Sequence, residues 1–202
     1  MPQPANASHP VVGSEERPDS CLAVLAASGV KAEAAPAPPA PLADCGVAVP
    51  VRLSAISLAS GASLALPDRP IINCAFAQVF ADYARNLVAP LAASMLGRPI
   101  ASIATGPGYE CRGRNRVAGA KISAHGRGNA IDITSIALVD GRKVGVESQR
   151  DATEVSFVRA IRIAACGWFT TVLGPGADAA HATNMHLDIE RHGSSDRYRI
   201  CD

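Results

Sequence analysis

Apolar residues recur at helical spacing along part of the chain. In residues 72–95 they follow steps of three and four, which is typical of one face of a helix, and this face consists of Phe76, Val79, Phe80, Tyr83, Leu87 and Leu91. Two shorter segments, 21–30 and 153–166, also favour helices. The sequence therefore predicts three helices, with a kink near the end of the longest because Pro90 lacks a backbone N–H.

Shorter apolar runs with alternating positions indicate strands. They lie at 100–104, 121–123, 130–136, 169–173 and 185–189, and one or two more are predicted within 47–66. Helices and strands interleave irregularly, with hairpin-like neighbours instead of repeated strand–helix–strand units. This order predicts an α+β fold with a small, mostly antiparallel sheet and flanking helices.

Two segments have compositions that exclude helices. Residues 1–18 are rich in Pro, Ser and Asn without periodicity, and we expect them to be disordered. Residues 34–42 read AAPAPPAPL, which predicts a polyproline-like linker. We therefore expect one domain over 19–202 that contains this linker.

Length and charge narrow the class of protein. The 202 residues suffice for one domain with a hydrophobic core. The formal net charge of +1 argues against a nucleic-acid binder driven by electrostatics. The longest apolar runs, such as 22–30, are far shorter than the ~20 residues that span a bilayer.

Six cysteines are dispersed along the chain without any CxxC pair, which argues against zinc knuckles and thioredoxin-like motifs. Such a set favours three disulfides in a periplasmic or secreted protein, although residues 1–20 show no evident signal peptide. The alternative is six reduced thiols in a cytosolic protein. Spacing does not fix the connectivity. We expect Cys21–Cys45 to bridge the proline-rich linker, and the others to pair among themselves: Cys74, Cys111, Cys166 and Cys201.

Two segments carry histidine and aspartate side chains that could hold a metal ion. In one predicted strand Ile131 and Ile133 take the core face, which leaves Asp132 on the other. A glycine-bearing loop allows His125 to fold back beside this carboxylate. His186 lies on the non-core face of the last strand. Two imidazoles and one carboxylate leave a fourth position open, as in catalytic zinc sites.

The same residues have a simpler interpretation. His125, Asp132 and His186 could form a hydrogen-bonded network without a metal. His9 and His192 lie in polar segments without a pattern, and we expect neither to belong to a site.

Longer motifs around these residues resemble known proteins. The pattern SxHxxGxAxD at 123–132 resembles the motif of the D-Ala-D-Ala metallopeptidase and Hedgehog superfamily. Further stretches narrow the resemblance to the bacterial extensin-like protein C-terminal domain: GYxCRxRN at 108–115, FTTVLGPG at 169–176, HLD at 186–188 and YRIC at 198–201. The resemblance covers roughly residues 18–202 and implies a Hedgehog- or DD-peptidase-like fold with disulfides.

This resemblance implies roles for individual residues. The implied zinc ligands are His125, Asp132 and His186. The implied substrate-binding residues are Tyr109, Ser123 and Asn184. Arg112 would contact the substrate carboxylate or an oxyanion. His181 would be either a catalytic histidine or one that supports the metal ligands. The related peptidases carry a general base where this chain has Thr183 and Asn184, and neither of these side chains titrates near neutral pH.

Three functions remain open at this point. The first is a zinc-dependent hydrolase of peptide bonds in peptidoglycan stem or cross-link peptides, with His181 moving the proton. The second is a catalytically inactive zinc- or peptidoglycan-binding module, which the missing base favours. The third is the network without metal. For the first two we expect a periplasmic or secreted monomer that binds peptidoglycan peptides, with no nucleic-acid partner and no membrane span.

Overall fold

A computed structural model describes residues 18–117, 119–193 and 198–202. The predicted disordered segment 1–18 lies outside these described residues, except for Pro18. The helices are α1 (Pro18–Ala27), α2 (Cys74–Tyr83), α3 (Ala89–Leu96) and α4 (Ala152–Ala165). The strands are β1 (Val30–Ala34), β2 (Pro50–Ser57), β3 (Ser63–Ala65), β4 (Ile71–Asn73), β5 (Ile100–Thr105), β6 (Ala130–Leu138), β7 (Lys143–Gly145), β8 (Thr171–Leu173), β9 (Met185–Asp188) and β10 (Ile200–Cys201).

The strands form one sheet in the order β1-β2-β3-β5-β6-β9-β8-β10, with β4 paired to β2 and β7 to β6. The α+β class is confirmed. The expectation of a mostly antiparallel sheet is wrong, because the sheet is mixed: β5 runs parallel to β3 and β10 parallel to β8. Side-chain alternation predicts that a strand is present, but it does not indicate whether the neighbouring strand runs parallel or antiparallel to it. The connection through α2 and α3 returns the chain so that β5 runs in the direction of β3.

The longest predicted helix, over 72–95, differs from the expectation in two places. Its first residues form β4, and a π-helical turn over 84–88 separates α2 from α3. Pro90 lies in the first turn of α3, directly after this π-helical turn, and its nitrogen has no proton to donate to the carbonyls of that turn. Buried aromatic rings of α2 pack on Phe169 before β8, with Tyr83 at 5.2 Å and Phe76 at 5.9 Å between ring centroids. This packing presses the helices against the part of the sheet that contains β8 and β9.

All six cysteines form disulfides, but the expected Cys21–Cys45 pairing is wrong. The bridges are Cys21–Cys74, Cys45–Cys111 and Cys166–Cys201. Cys74 begins α2, which packs on α1. The amide of Gly46 donates to the Gly126 carbonyl at 2.8 Å, which places Cys45 beside the turn that carries His125. Tertiary contacts therefore outweigh nearness along the chain.

Three disulfides are consistent with an oxidising compartment, periplasmic or extracellular. Among the described residues, no helix has the length and apolar character to cross a membrane.

The predicted strand at 121–123 is reduced to an isolated bridge between Ile122 and Gly113. The proline-rich linker contains no helix: its first residue ends β1, and the rest has no regular secondary structure. The carbonyl of Pro39 in this linker accepts a hydrogen bond from the Tyr109 hydroxyl at 2.6 Å.

Candidate metal centre

Two adjacent strands place Asp132 and His186 side by side. In the antiparallel pair β6–β9 these two residues lie directly opposite each other, so their side chains extend from the same face of the sheet. Their neighbours Ile131 and Ile133 are fully buried on the core face. The sequence prediction that Ile131 and Ile133 face the core is therefore confirmed. The pairing of Asp132 with His186 comes from the register between the two strands.

His125 comes from a short 3₁₀ turn over 124–127 that precedes β6. Gly128 ends this turn with a φ of +68°, a conformation that favours glycine, and a Cβ there would lie 2.9 Å from the Asn73 amide nitrogen. The glycine therefore lets the turn pack closely on the start of α2. In this position the imidazole of His125 reaches the face that carries Asp132.

The three side chains converge at distances that suit a common ion. His125 Nε2 lies 3.1 Å from His186 Nδ1 and 3.2 Å from one oxygen of Asp132. The other oxygen of Asp132 lies 2.9 Å from His186 Nδ1. Donor atoms around a tetrahedral zinc ion with bonds near 2.0–2.1 Å are about 3.3 Å apart. His125, Asp132 and His186 can therefore hold a metal ion with little movement.

The far nitrogen of each imidazole is anchored away from this point. His125 Nδ1 lies 2.7 Å from the Gly108 carbonyl oxygen, which can only accept, so Nδ1 carries the proton. His186 Nε2 lies 3.0 Å from Asp188 Oδ2 and donates to that carboxylate. When both imidazoles are neutral, these outer hydrogen bonds leave a lone pair on each inner nitrogen, and they orient both rings, as in other metal-binding histidines.

The electrostatics of the cluster favour a positive charge at its centre. Burial raises the pKa of Asp132, but hydrogen bonds with His125 and His186 outweigh this and hold the pKa far below its usual range. Burial lowers the pKa of His186, but hydrogen bonds with Asp132 and Asp188 raise it to about 9. Two nitrogen lone pairs and two carboxylates close together thus attract either a proton or a metal ion.

A cleft of 110 Å³ opens beside the cluster and is lined by polar side chains from several elements, among them His181, His186, Asp188 and His192. The ring of His181 lies 5.4 Å from the ring of His186. Its Nδ1 lies 2.7 Å from Asp178 Oδ1, and the same oxygen accepts from the His181 amide. Asp178 therefore fixes His181 at the wall of the cleft.

A family comparison matches the model of the extensin-like protein C-terminus over residues 19–202, which is nearly the whole chain. The chain belongs to the extensin-like protein C-terminal family. Comparisons with curated proteins and with solved structures find no match.

The extensin-like domain brings some of the predicted site residues together. Arg112 and Ser123 line the cleft with His181. Arg112 Nε donates to Glu110 Oε2 at 2.9 Å, so the guanidinium enters the cleft already bound to a carboxylate. The Cys45–Cys111 disulfide fastens the loop that carries Glu110 and Arg112.

Two predicted substrate-binding residues are not part of the cleft lining. The Tyr109 hydroxyl is engaged by Pro39, as described above. Asn184 precedes β9, and its Nδ2 donates to the Ala180 carbonyl at 3.4 Å. Thr183 does not line the cleft either. Thr183 and Asn184, the positions at which the motif resemblance leads one to look for a general base, thus contribute no side chain to the described cleft of this extensin-like domain.

Several residues at the site had no role predicted from the sequence. Asp188 anchors His186, and alternation along β9 already puts these two residues on one face. Asp178 follows the common pattern of a capping aspartate three residues before the side chain that it fixes. His192 lies in the cleft wall, contrary to expectation, and no pattern in its polar segment indicates this.

Proposed function

We propose that this extensin-like domain is a zinc-dependent hydrolase of peptide bonds in peptidoglycan stem or cross-link peptides. The supporting observation is the convergence of His125 Nε2, His186 Nδ1 and the Asp132 carboxylate beside a small polar cleft. Two neutral imidazoles and one carboxylate suit zinc. The wall substrate and a relationship to D-Ala-D-Ala metallopeptidases follow from the motif resemblance, and the periplasmic location follows from the three disulfides. These and the monomeric state belong to the proposal.

Zinc held by these three residues supplies Lewis acidity, which polarises a carbonyl group and acidifies water. The other cleft residues orient the peptide and move protons. Asp178 holds Nδ1 of His181, so Nε2 is free to take a proton from the attacking water. Arg112 supplies a positive charge at the cleft that stabilises negative charge on the carbonyl oxygen.

A second candidate is a domain that binds zinc or a wall peptide without cleaving it. It is favoured by one observation, the absence of Thr183 and Asn184 from the cleft lining. Under this alternative His181 and Asp178 form a structural pair. The two candidates differ in whether a product is released.

The deciding experiment incubates purified peptidoglycan with the oxidised protein, with added zinc and separately with a chelator, and analyses the muropeptides by mass spectrometry. We expect new muropeptides with zinc and none with the chelator or with His186→Ala. Undigested peptidoglycan that nevertheless retains the protein in a pull-down supports the binding module. Turnover by His186→Ala contradicts the assignment of the site.

A further inference from the structure

His192 is a second histidine in the cleft wall that belongs neither to the metal cluster nor to the His181–Asp178 pair. It follows β9 and is half-buried, and its ring packs edge-on against Tyr198 at 6.2 Å. The ring of His181, in contrast, packs against His186. The two histidines therefore occupy different parts of the cleft wall.

A threonine fixes one nitrogen of the His192 ring. Thr171 Oγ1 lies 2.7 Å from His192 Nε2. Thr171 also lies opposite Asp188 in the β8–β9 pair, so both side chains extend from the same face of the sheet. In a protonated imidazole both nitrogens are donors, so Nε2–H of His192 donates to the Thr171 hydroxyl oxygen.

This arrangement makes Nδ1 the nitrogen of His192 that exchanges a proton. No hydrogen bond of Nδ1 is present within the described part of the chain, whereas Nε2 is held by Thr171. Asp188 contacts His186, and its strand partner Thr171 contacts His192, so paired residues of β8 and β9 position the metal cluster and His192.

Peptide hydrolysis requires two proton transfers, one from the attacking water and one to the leaving nitrogen. His181 is suited to the first. For the second, the Arg112 guanidinium is bound to Glu110, and Asp188 is engaged by His186, Thr170 and the Glu190 amide. Of the described cleft residues, His192 is the remaining imidazole, the side-chain type that most often donates protons in catalysis.

We propose that His192 is the catalytic residue that protonates the leaving amine, an inference that rests on the proposed hydrolase function. Water adds its oxygen to the carbonyl carbon and gives one proton to His181 Nε2. The carbon–nitrogen bond then breaks, the nitrogen keeps the electron pair, and Nδ1–H of His192 passes its proton to that nitrogen. His192 is left neutral with its proton on Nε2. Solvent carries the proton from His181 back to His192, and one water is consumed.

The test compares two substrates that differ in one atom: the peptide that is cut, and a depsipeptide with oxygen in place of the scissile nitrogen. An alkoxide leaves with far less need of a proton than an amide nitrogen does. We expect His192→Gln to lower peptide turnover by about 100-fold or more, within the range for general acid catalysis, and depsipeptide turnover by less than about tenfold. His181→Gln is the matched control and should lose activity on both substrates. Zinc content should be unchanged in His192→Gln.

The outcomes separate the two proposals. No turnover of either substrate by the wild-type protein overturns the hydrolase function and this role with it. An active wild type with equal losses on both substrates in His192→Gln, or with no loss, overturns the role of His192 alone. Independently of activity, long-range ¹H–¹⁵N NMR should find the proton of neutral His192 on Nε2, and should find it redistributed in Thr171→Val. A proton on Nδ1 in the wild type contradicts the inference.

Discussion

Replacing Asp188 by asparagine should weaken metal binding by changing which nitrogen of His186 carries a proton. Asp188 Oδ2 accepts from His186 Nε2 at 3.0 Å, while Oδ1 accepts from the Glu190 amide at 3.0 Å and from Thr170 at 3.3 Å. Asparagine has a single acceptor oxygen. With this oxygen on the Glu190 side, its NH₂ group faces His186 Nε2, so the imidazole proton moves to Nδ1. There it occupies the position of the metal ion.

The opposite orientation of asparagine is also unfavourable. It restores the bond to His186 but leaves the Glu190 amide without an acceptor, which costs about 1–3 kcal/mol. Loss of such outer contacts typically weakens metal affinity by about 10- to 100-fold. We therefore expect a loss of about 1.4–2.7 kcal/mol in zinc-binding free energy for Asp188→Asn.

The assay is a competition titration of zinc against a chromophoric chelator at neutral pH. Glu190→Gln is the matched control, because it removes a negative charge next to the same strand without touching His186, and its carboxylate contacts Asn129 and Arg127 instead. Circular dichroism checks that both variants are folded. Wild-type affinity in Asp188→Asn, or an equal loss in Glu190→Gln, would refute the anchoring of His186 by Asp188.

Three further predictions follow from the described contacts. Gly108→Ala places a Cβ 2.5 Å from the Ile71 carbonyl oxygen at a φ of +81°, so urea unfolding should show a free energy of unfolding lower by about 2 kcal/mol or more. Gly106→Ala, with open space around its Cβ, is the control and should be near wild type. Equal losses in the two variants contradict this prediction. Burial raises the pKa of Glu154, but hydrogen bonds from Arg150 outweigh burial and lower this pKa below its usual value. The ionised Glu154 therefore stabilises the folded state above the unfolded pKa of about 4.3, and this stabilisation is lost as the pH falls. The stability difference between wild type and Glu154→Gln should therefore shrink from pH of about 7 to about 3 in urea unfolding, and a constant difference contradicts the contact. A non-reducing peptide map should recover three bridges and no other pairing: Cys21–Cys74, Cys45–Cys111 and Cys166–Cys201.

The local part of the metal centre could be predicted from the sequence because it depends on alternation within single strands. Ile131 and Ile133 identify the core face of β6, and this places Asp132 on the other. The meeting of Asp132 with His186 could not be predicted in the same way, because it depends on the register between β6 and β9. Register is decided by the whole sheet and by the turns that enter it.

Residues whose role depends on distant partners were missed for the same reason. His192 lies in a polar segment, and its place in the cleft depends on Thr171 in another strand. The predicted bridge from Cys21 to Cys45 was wrong because nearness along the chain does not include the packing of α1 on α2. The parallel direction of β5 relative to β3 depends on the long helical connection between them, which side-chain patterns do not describe.

The central claim is that His125, Asp132 and His186 hold one metal ion. Native mass spectrometry of the oxidised protein, after incubation with zinc and removal of excess metal, measures this directly. We expect one zinc ion per chain in the wild type and none in Asp132→Ala at the same protein concentration. A wild-type protein without zinc, or an Asp132→Ala variant that retains a full equivalent, would contradict it.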